Sequence, residues 1–533
     1  MLLERYVEEC GGFSNLNRVL APDNRLILEY VNPELLKLNG QRGELNSMLR
    51  QVAYSRTEEI SDQSLTDLCA RIDTEQKNDA ENHLTELPCE YRPLWHVSPP
   101  QGLLNDPNGF IFHEGKYHLF YQWYPYRCEH KDKYWAHLTS KDLIHWDWNP
   151  LALTPSSWFD SHGVFSGHAL SHGNELLLFY TGNVRIGEAR DRHTTQCIAK
   201  SKDGINFEKV GPVIGELPPG VTPHCRDPKV FKHGDEWVML LGAQTEDLKG
   251  RVAVYKSDDL YHWDFFKLCG EEYGDFGYMW ECPDFFELNG QSYTVIGPQG
   301  IDALGKHHTI PHHNGIAKVE IDTDANIEFG EFEHLDYGFD FYAPQTALSE
   351  DGRRLMVGWM GLPDETDHPS VDNGWIHQLT SVRELIQSDG KLIQRPIKEL
   401  EALRGNQQSI VLQDSEFDTG SNQYELVTEL SWGQSLQLFK GNEYQVNIEL
   451  DADLKVLRLD RSCTLIREGD TIREVELGSS TVSLQILVDT SSIEVFINNG
   501  EKVLTGRIFV PTDSTNISVK GKAELQLINL KQK

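Results

Sequence analysis

The run Gly102-Leu103-Leu104-Asn105-Asp106-Pro107-Asn108-Gly109 stands just before an apolar, aromatic stretch from Phe110 to Trp123. Asn-Asp-Pro-Asn-Gly is typical of a turn, because Pro fixes φ, Asn and Asp bond locally, and Gly accepts positive φ. Taken alone, this run is most simply interpreted as a hairpin or a strand-leading turn. Two further carboxylates, Asp227 and Glu281, recur downstream in a similar context, which favours a repeated architecture.

Five short apolar runs of β-like composition repeat along the middle of the chain, and each follows a turn that contains Gly. Their starts are separated by 59, 61, 56 and 62 residues, and the runs occupy 117–121, 176–180, 237–241, 293–296 and 355–359. A period near 60 accommodates four strands and their loops. The spacing therefore predicts a five-bladed β-propeller over residues 91–390.

Propeller geometry predicts where polar residues of different blades meet. The innermost strand of each blade lines the central channel, so polar side chains leading into those strands converge on one axial pocket. The residues at this position are Asp106, Asp160 with Ser166, Asp227, Glu281 and Gln345. Asp160 fits a structural loop acid better than a catalytic one, whereas the recurrence of an acid in blades one, three and four indicates a shared site.

The segments that flank the predicted propeller have different patterns. Residues 1–90 are polar, and two stretches have apolar residues at helical spacing, namely Leu45, Met48, Leu49 and Val52, and then the segment from Asp62 to Ile72. They predict a mainly helical extension that packs on the main domain; a mobile or partner-binding segment is the alternative.

The C-terminal part of the chain predicts a second domain. Residues 391–405 are predicted to contain a short linker helix, with Pro396 near its start and Gly405 past its end. From 406 to 533, apolar residues alternate at period two, and Asn499-Gly500 supplies a hairpin turn, so a β-sandwich is expected. The predicted fold is thus all-β: a five-bladed β-propeller followed by a β-sandwich, with a mainly helical N-terminal extension.

Composition limits the classes of function. A net charge of −33 disfavours nucleic-acid and anionic-membrane partners, and any anionic substrate needs local basic groups to overcome it. The first residues lack the pattern of a secretory signal, and no apolar run approaches the roughly 18 residues of a membrane span, so a cytoplasmic location is expected. Nine cysteines without a Cys-x-x-Cys pair favour reduced thiols. No metal-ligand spacing is evident, and we expect no cofactor.

Paired carboxylates suit one reaction in particular. One carboxylate attacks an anomeric carbon while the other protonates the leaving oxygen, and the charge of the nucleophile together with burial raises the pKa of the acid. A third acid can accept hydrogen bonds from sugar hydroxyls that strengthen as the oxocarbenium-like state develops. Taken alone, Asp227 also fits a surface ion pair, and Glu281 fits a solvent-facing residue at the start of a strand.

Several motifs together resemble glycoside hydrolase family 32, the group of invertases, fructanases and sucrose-6-phosphate hydrolases. They are 104–109, Phe165-Ser166-Gly167, Arg226-Asp227-Pro228, 281–284, 341–346, 358–361 and, in the second domain, 491–496. The resemblance extends from Tyr91 to the C-terminus and leaves the first 90 residues uncovered. Within the family, 91–96 and 222–228 are most similar to the bacterial intracellular enzymes that act on sucrose 6-phosphate.

The resemblance implies a role for each candidate residue. Asp106 would be the nucleophile at C2 of a β-fructofuranosyl unit, Glu281 the general acid and then base, and Asp227 the holder of the fructose 3- and 4-hydroxyls. The implied substrate-binding residues are Asn105, Gln122, Trp135, Phe165, Ser166 and Arg226. One departure from the family pattern is Leu104, where Trp or Met is frequent.

The predicted substrate is a small sugar, and the resemblance implies retaining hydrolysis of sucrose 6-phosphate or sucrose. His224 and Arg185 are candidate partners of the phosphate. An exo-fructanase that acts on inulin or levan, a transfructosylase and, from another class, a non-catalytic sugar-binding protein are the alternatives. The sequence indicates no oligomeric state.

Overall fold

The computed structural model describes residues 2–38, 43–57, 60–302 and 312–531. Its first part is a small α/β unit, whose elements are α1 (Leu2–Glu9), β1 (Leu16–Leu20), β2 (Arg25–Tyr30), β3 (Glu44–Asn46), β4 (Gln51–Ser55) and α2 (Asp62–Glu81). The strands form one sheet in the order β1-β2-β4-β3. Leu3 and Val7 of α1 and Leu65 and Leu68 of α2 pack on this sheet in a common core. Neither described helix has the length and apolar character that a membrane crossing requires.

This unit corrects the prediction of a mainly helical extension. The apolar residues at helical spacing do not form a helix, because Leu45 lies in β3, Val52 lies in β4, and Met48 and Leu49 lie in the turn between these strands. Leu45 and Met48 are exposed and only Val52 is fully buried, so the spacing did not mark a buried face. The segment from Asp62 to Ile72 is helical as predicted, since it is the first half of α2.

Residues 102–396 form five sheets that follow one another along the chain. Their strands are β5 (Gly102–His113), β6 (Lys116–Tyr124), β7 (Tyr134–Ser140), β8 (Asp147–Trp148), β9 (Val164–His172), β10 (Glu175–Ile186), β11 (Asp191–Ser201), β12 (Glu208–Ile214), β13 (Val221–His233), β14 (Glu236–Thr245), β15 (Gly250–Ser257), β16 (Asp264–Cys269), β17 (Met279–Leu288), β18 (Gln291–Gln299), β19 (Gly315–Ile321), β20 (Ile327–His334), β21 (Tyr342–Leu348), β22 (Arg354–Met360), β23 (Trp375–Ile376), β24 (Gln378–Leu379), β25 (Arg383–Ser388) and β26 (Lys391–Pro396). The sheets are β5 to β8 with β23, β9 to β12, β13 to β16, β17 to β20, and β21, β22, β25 and β26 with β24.

The first strands of the five sheets make a closed ring. β5 contacts β9, β9 contacts β13, β13 contacts β17, β17 contacts β21, and β21 contacts β5. β23 closes the circle from the other end of the domain, because it pairs in parallel with β5 and places Trp375 opposite Gly102. This domain is a β-propeller whose axis is lined by the first strands. The apolar runs that gave the period are the second strands, β6, β10, β14, β18 and β22.

The predicted linker helix is shorter than expected. β26 pairs with β25 over the whole of Lys391–Pro396, so these residues are an edge strand of the fifth sheet. Only Lys398–Leu403 is helical, as a single short 3-10 helix. The hydrogen bonds of the sheet therefore override the local helix signal in the first half of the segment.

The C-terminal domain is the predicted β-sandwich. Its strands are β27 (Arg404–Asp418), β28 (Tyr424–Ser431), β29 (Ser435–Lys440), β30 (Gln445–Asp451), β31 (Val456–Cys463), β32 (Ile472–Glu476), β33 (Thr481–Asp489), β34 (Ser492–Ile497), β35 (Lys502–Arg507) and β36 (Asn516–Leu530). The hydrogen-bonded order is β32-β31-β30-β29-β36-β28-β33-β34-β35, with β27 on β36. Inward-facing residues such as Leu426, Ile486 and Leu525 form one core.

Buried ion pairs join the sandwich to the propeller. Arg383 of β25 donates to Glu494 at 2.7 Å and to Asp336 at 3.0 Å, and all three side chains are buried. His96 bonds Glu494 at 3.0 Å and Asp489 at 2.8 Å. Such charges are tolerated in a dry interface only when each is paired, so the contact has a single geometry.

Candidate active site

All five first strands contain a β-bulge at a comparable place, and in four of them the bulge includes a proline. The shifts in register that include a proline lie between Leu104 and Pro107, Arg226 and Lys229, Glu281 and Asp284, and Tyr342 and Gln345, and the shift without a proline lies between Val164 and Gly167. Proline has no backbone N–H to donate to the neighbouring strand, so it is tolerated in a strand at a bulge. A bulge also changes the direction of the side chains beside it, and here it can turn them toward the propeller axis. The run 102–109 is therefore part of a bulged strand and not a turn.

The backbone at these bulges is unusual. Asp227, Cys282 and Ala343 each precede the proline of their bulge and have positive φ, at 66°, 47° and 45°. A non-glycine residue in this region costs free energy, which the surrounding sheet must supply. The repetition of the same conformation in three sheets shows that it belongs to the way this site is built.

The bulged strands bring the three predicted carboxylates into one pocket. Asp106, Asp227 and Glu281 line a cavity of about 480 Å³. Five of the predicted substrate-binding residues also line it, namely Asn105, Gln122, Phe165, Ser166 and Arg226. Every first strand contributes, because Phe165 and Ser166 come from β9 and Tyr342 comes from β21. The convergence expected from the repeat is thus present.

Asp106 is half-buried and is held by neutral donors. Its Oδ2 accepts a hydrogen bond from Ser166 Oγ at 2.5 Å, and its Oδ1 accepts one from Asn105 Nδ2 at 3.3 Å. Asn105 also donates to Gln122, so the predicted polar residues form a chain. Burial raises the pKa of Asp106, whereas the hydrogen bonds from Ser166 and Asn105 oppose this rise. These donors fix the carboxylate in one orientation.

Asp227 is held by the backbone of the neighbouring strand. Its Oδ2 accepts a hydrogen bond from the amide of Cys282 at 2.9 Å, and its own amide donates to Thr181 Oγ1 at 2.9 Å. Burial raises the pKa of Asp227 to about 7 against the opposing charge of Arg226, and the nearby Glu281 adds to the rise. Asp227 therefore titrates close to neutrality.

Glu281 accepts four hydrogen bonds. Arg226 donates to Oε1 from Nη2 at 2.6 Å and from Nε at 3.2 Å, and Gln299 and Tyr342 each donate to Oε2 at 2.6 Å. Burial alone would raise the pKa of Glu281, but the charge of Arg226 and the bonds from Tyr342 and Arg226 hold it below its usual value. The expectation of a raised pKa on this acid is therefore wrong for the unliganded protein. The raised pKa lies on Asp227 instead.

Three of the residues predicted to converge on the axis or to bind the sugar do not line the pocket. Trp135 is fully buried and donates from its indole Nε1 to the carbonyl of Phe165 at 3.2 Å, so it supports the pocket wall from beneath and makes no direct contact. Asp160 pairs with Lys209 at 2.6 Å, which is the structural role expected for it. Gln345 donates to the carbonyl of Gly167 at 2.6 Å and joins two sheets.

Four residues close to the carboxylates were not predicted from the sequence, namely Cys282, Tyr342, Gln299 and Lys133. Cys282 donates its amide to Asp227, and its thiol lies 3.7 Å from Asp106 and 3.6 Å from Asp227. Tyr342 stands two residues before Pro344, as Glu281 stands two residues before Pro283. Comparing the residues before these prolines would therefore have indicated Tyr342 as a site residue. Gln299 ends a second strand and carries no such signal. Burial lowers the pKa of Lys133, which lines the pocket, to about 7, while Asp106 and Asp132 oppose this shift.

The two candidate phosphate partners differ in position. Arg185 lines the pocket, together with Arg190 and Arg192, which the sequence analysis did not name. His224 is not among the lining residues; its Nδ1 lies 3.1 Å from Arg226 Nη1. Burial and then the charges of Arg226 and Arg192 lower the pKa of His224 to about 4, so it is neutral near pH 7.

One buried group of side chains has the spacing of metal ligands. Ligand atoms of Glu365, His368 and His377 lie within 4.8 Å of one another, behind Trp359 of the pocket wall. Burial and the charge of Arg507 lower the pKa of His368 to about 3, and Arg461 lies 4.0 Å from Glu365. The two guanidinium groups disfavour a further cation here, and we assign no metal to it.

A propeller that brings three carboxylates together among hydrogen-bonding side chains in one pocket can cleave a glycosidic bond, and the protein is a glycoside hydrolase. The family model "Glycosyl hydrolases family 32 N-terminal domain" matches residues 96–396, and "Glycosyl hydrolases family 32 C terminal" matches residues 399–532. The chain therefore belongs to glycosyl hydrolase family 32.

Relatives and solved structures agree with this family. A "Probable sucrose-6-phosphate hydrolase" of Psychromonas ingrahamii is 56% identical over 99% of this chain and 97% of the relative, and one of Vibrio cholerae is 54% identical over 98% and 96%. The structure of sucrose-6-phosphate hydrolase from Lactobacillus gasseri matches with a TM-score of 0.79 at 31% identity, over 86% of this chain and 97% of that chain.

Proposed function

We propose that this protein is a retaining β-fructofuranosidase that hydrolyses sucrose 6-phosphate, and sucrose, to a glucose moiety and fructose. The convergence of Asp106, Asp227 and Glu281 in one pocket carries the proposal. The names of the full-length relatives support the phosphorylated substrate. An exo-fructanase that acts on inulin or levan remains the second candidate, because the same three carboxylates would release a terminal fructosyl unit from a longer fructan.

Asp106 is the nucleophile in this mechanism. Its carboxylate attacks C2 of the fructosyl unit, the bond from C2 to the glycosidic oxygen breaks, and a covalent fructosyl-enzyme forms. Glu281 gives a proton to the departing oxygen and then takes one from the water that releases fructose. Ser166 and Asn105 orient the nucleophile before it reacts.

The proton that Glu281 donates is supplied by its partner. Near neutral pH the pair of Asp227 and Glu281 holds one proton, and in the unliganded protein Asp227 holds it, because Arg226 favours an ionised Glu281. Fructose hydroxyls that donate hydrogen bonds to Asp227 favour its ionised form. Substrate binding thereby moves the proton to Glu281, where the reaction needs it.

The remaining lining residues form the fructose subsite. Asn105, Gln122 and Ser166 offer hydrogen bonds, and Phe165 offers an apolar face. Arg226 holds Glu281 and lies 3.9 Å from Asp227, so it positions both carboxylates. These side chains bind the sugar that carries the reacting carbon.

The proposal extends to the architecture and the location. Each of the five sheets is one blade of a five-bladed propeller, which the closed ring of first strands supports. The units are the N-terminal α/β unit, the propeller of residues 102–396 and the sandwich that begins at Arg404. A cytoplasmic location belongs to the proposal, because a sugar phosphate is charged and is retained by the membrane that encloses it.

Parallel incubation with sucrose, sucrose 6-phosphate and inulin tests the function. We expect fructose from sucrose 6-phosphate and, more slowly, from sucrose, and NMR of the first product should show fructose with the anomeric configuration that it had in the substrate. Faster release from inulin would assign the second candidate. Binding of sugars without any release of fructose would overturn the enzymatic proposal in favour of a sugar-binding protein.

A further inference from the structure

Three arginines stand together on one hairpin at the edge of the pocket. Arg185 near the end of β10 is the cross-strand partner of Arg192 in β11, and Arg190 lies in the turn between them with a φ of 59°. All three line the cavity that contains the carboxylates. We call this set, Arg185, Arg190 and Arg192, the arginine rim.

The arginine rim is not neutralised by the part of the chain that the structure describes. The hydrogen bonds found there go to neutral acceptors at 3.3 Å, from Arg185 to the carbonyl of Arg190 and from Arg192 to Asn183 Oδ1, and the buried Nε of Arg192 has no partner. Like charges directly opposite on paired strands destabilise a hairpin. Burial, with the charges of Arg226 and Arg185, lowers the pKa of Arg192 to about 9. An anion bound between these three arginines would reduce their mutual repulsion and so stabilise the arginine rim.

The N-terminal unit holds this hairpin from behind. Val184 and Ile186 flank Arg185 along β10 and pack against Leu20 and Ile27 of the N-terminal sheet. Successive side chains of a strand face opposite sides, so this packing directs Arg185 toward the pocket. Glu188, the acid of the hairpin turn, accepts a hydrogen bond from Asn46 of the same unit at 3.3 Å. The N-terminal unit thus holds Glu188 away from the arginine rim, and it fixes the backbone of the hairpin that carries the rim.

We propose that the arginine rim binds the phosphate monoester of the substrate, carried on its glucose unit. The inference rests on the proposed function and adds the residues that select the phosphorylated sugar. Guanidinium groups match phosphate oxygens in paired hydrogen bonds, and three of them create a local positive potential on a chain with a net charge of −33.

The charges around the pocket indicate which sugar carries the phosphate. The three carboxylates at the floor repel a dianion, and Arg226 among them is already paired with Glu281, whereas the three cations of the rim have no ionic partner among the described residues. Fructose occupies the floor because Asp106 must reach its C2. The phosphate therefore lies on the leaving glucose, which projects toward the arginine rim.

Arg185→Gln and Arg190→Gln test this assignment. For each variant and the unaltered protein, kcat/KM is measured with sucrose 6-phosphate and with sucrose, and the ratio of the two is the readout. We expect the ratio to fall about 10- to 100-fold for each substitution, since each removes a charge-assisted hydrogen bond to phosphate. Arg395→Gln is the matched control, because Arg395 is an exposed strand arginine on the fifth sheet and its loss changes the net charge equally.

Inhibition separates phosphate binding from sugar binding. Glucose 6-phosphate should inhibit sucrose hydrolysis at a concentration at which glucose does not, inorganic phosphate should inhibit more weakly, and Arg185→Gln should abolish the difference between the two sugars. An unchanged ratio in both rim variants overturns the rim assignment while hydrolysis stands. Hydrolysis of neither sugar overturns the proposed function instead, and calorimetric binding of glucose 6-phosphate to the unaltered protein and to Arg185→Gln then decides for or against the rim.

Discussion

The floor and the rim of the pocket are built in opposite ways. The floor has Asp106, Asp227 and Glu281 on bulged first strands; Asp227 is buried, the other two are half-buried, and each accepts hydrogen bonds from two or more donors. The arginine rim lies on a hairpin of the second sheet, half-buried or exposed, with few and long bonds. The bulged first strands, which repeat from sheet to sheet, position the residues that react. The hairpin of the second sheet, which is less constrained, determines which substrate binds.

This difference separates two kinds of effect. A change in the floor alters the bond-breaking step and affects every fructoside alike, since each must place its C2 at Asp106. A change in the rim alters only the substrates that carry an anion there.

Asp106→Asn should lower kcat by about 10⁴-fold or more for sucrose and for sucrose 6-phosphate alike, because the amide cannot form the covalent intermediate. Steady-state kinetics with both substrates measures this loss. The ratio of the two kcat/KM values should stay near that of the unaltered protein. A variant that lost activity on one substrate only would break the distinction between floor and rim.

Asp160→Asn is the matched control for this substitution. Asp160 is a buried carboxylate of the neighbouring sheet that pairs with Lys209 and does not line the pocket. Its replacement leaves a buried lysine without its ionic partner, so the free energy of unfolding should fall by ~3 kcal/mol or more. Activity per folded molecule should remain, which thermal unfolding together with active-site titration can establish.

The pH dependence of kcat/KM for sucrose sharpens the account of the floor. The proton held by Asp227 and Glu281 is lost as pH rises through about 7, so activity should fall above that pH. In Asp227→Asn the falling limb should move to lower pH, because Glu281 then titrates without an acidic neighbour and beside Arg226, whose charge lowers its pKa. Sucrose is the right substrate, since the phosphate of sucrose 6-phosphate itself titrates near pH 6.

A limb that stays in place, or moves to higher pH, would show that the two carboxylates do not share the proton. Asp160→Asn again supplies the control, because it removes a carboxylate that lies outside the pocket. Its falling limb should match that of the unaltered protein. The comparison therefore isolates the charge of Asp227 from a general loss of acidity.

The floor could be predicted from the sequence because its signal is repeated. An acid followed by proline, at intervals set by the blades, marks Asp106 and Asp227, and Glu281 stands one residue earlier in the same context. The local meaning of the signal was wrong, since the turn-like residues form bulges inside strands. The residues are extended because β5 pairs with β6 on both sides of the bulge at Pro107, and this pairing overrides the local preference for a turn.

The rim and the N-terminal unit could be predicted only in part. Arg185 was named as one candidate, but the register that places Arg192 opposite it depends on a hairpin turn that no motif marked. The spacing of Leu45, Met48, Leu49 and Val52 suggested a helix, although burial falls mainly on Val52 in a short strand. Short segments with few buried residues carry too little periodicity to separate helix from strand.

Added salt should weaken the preference for sucrose 6-phosphate over sucrose. The arginine rim is partly exposed, so its attraction for phosphate is screened, and the ratio of the two kcat/KM values should fall about three- to ten-fold between roughly 0.05 M and 0.5 M NaCl. The kcat for sucrose should change much less, because sucrose carries no charge that salt can screen. An unchanged ratio would contradict an ionic contact at the rim.

The smallest effect concerns the N-terminal unit. Ile27→Ala removes apolar contact beneath the hairpin, so the hairpin should become less well fixed and the preference for sucrose 6-phosphate should fall about two- to five-fold. The free energy of unfolding should fall by ~1–3 kcal/mol. Kinetics with both substrates and chemical denaturation measure the two changes.

Leu26→Ala is the internal comparison, because Leu26 is the neighbour of Ile27 on β2 and faces the core of the N-terminal unit instead of the hairpin. It should cost more in stability, ~2–5 kcal/mol, and yet change the substrate preference less in the folded protein. If the two variants altered the preference in proportion to their loss of stability, the hairpin contact would have no specific role. A larger change from the less destabilising substitution would show that the N-terminal sheet acts on the arginine rim through this one face.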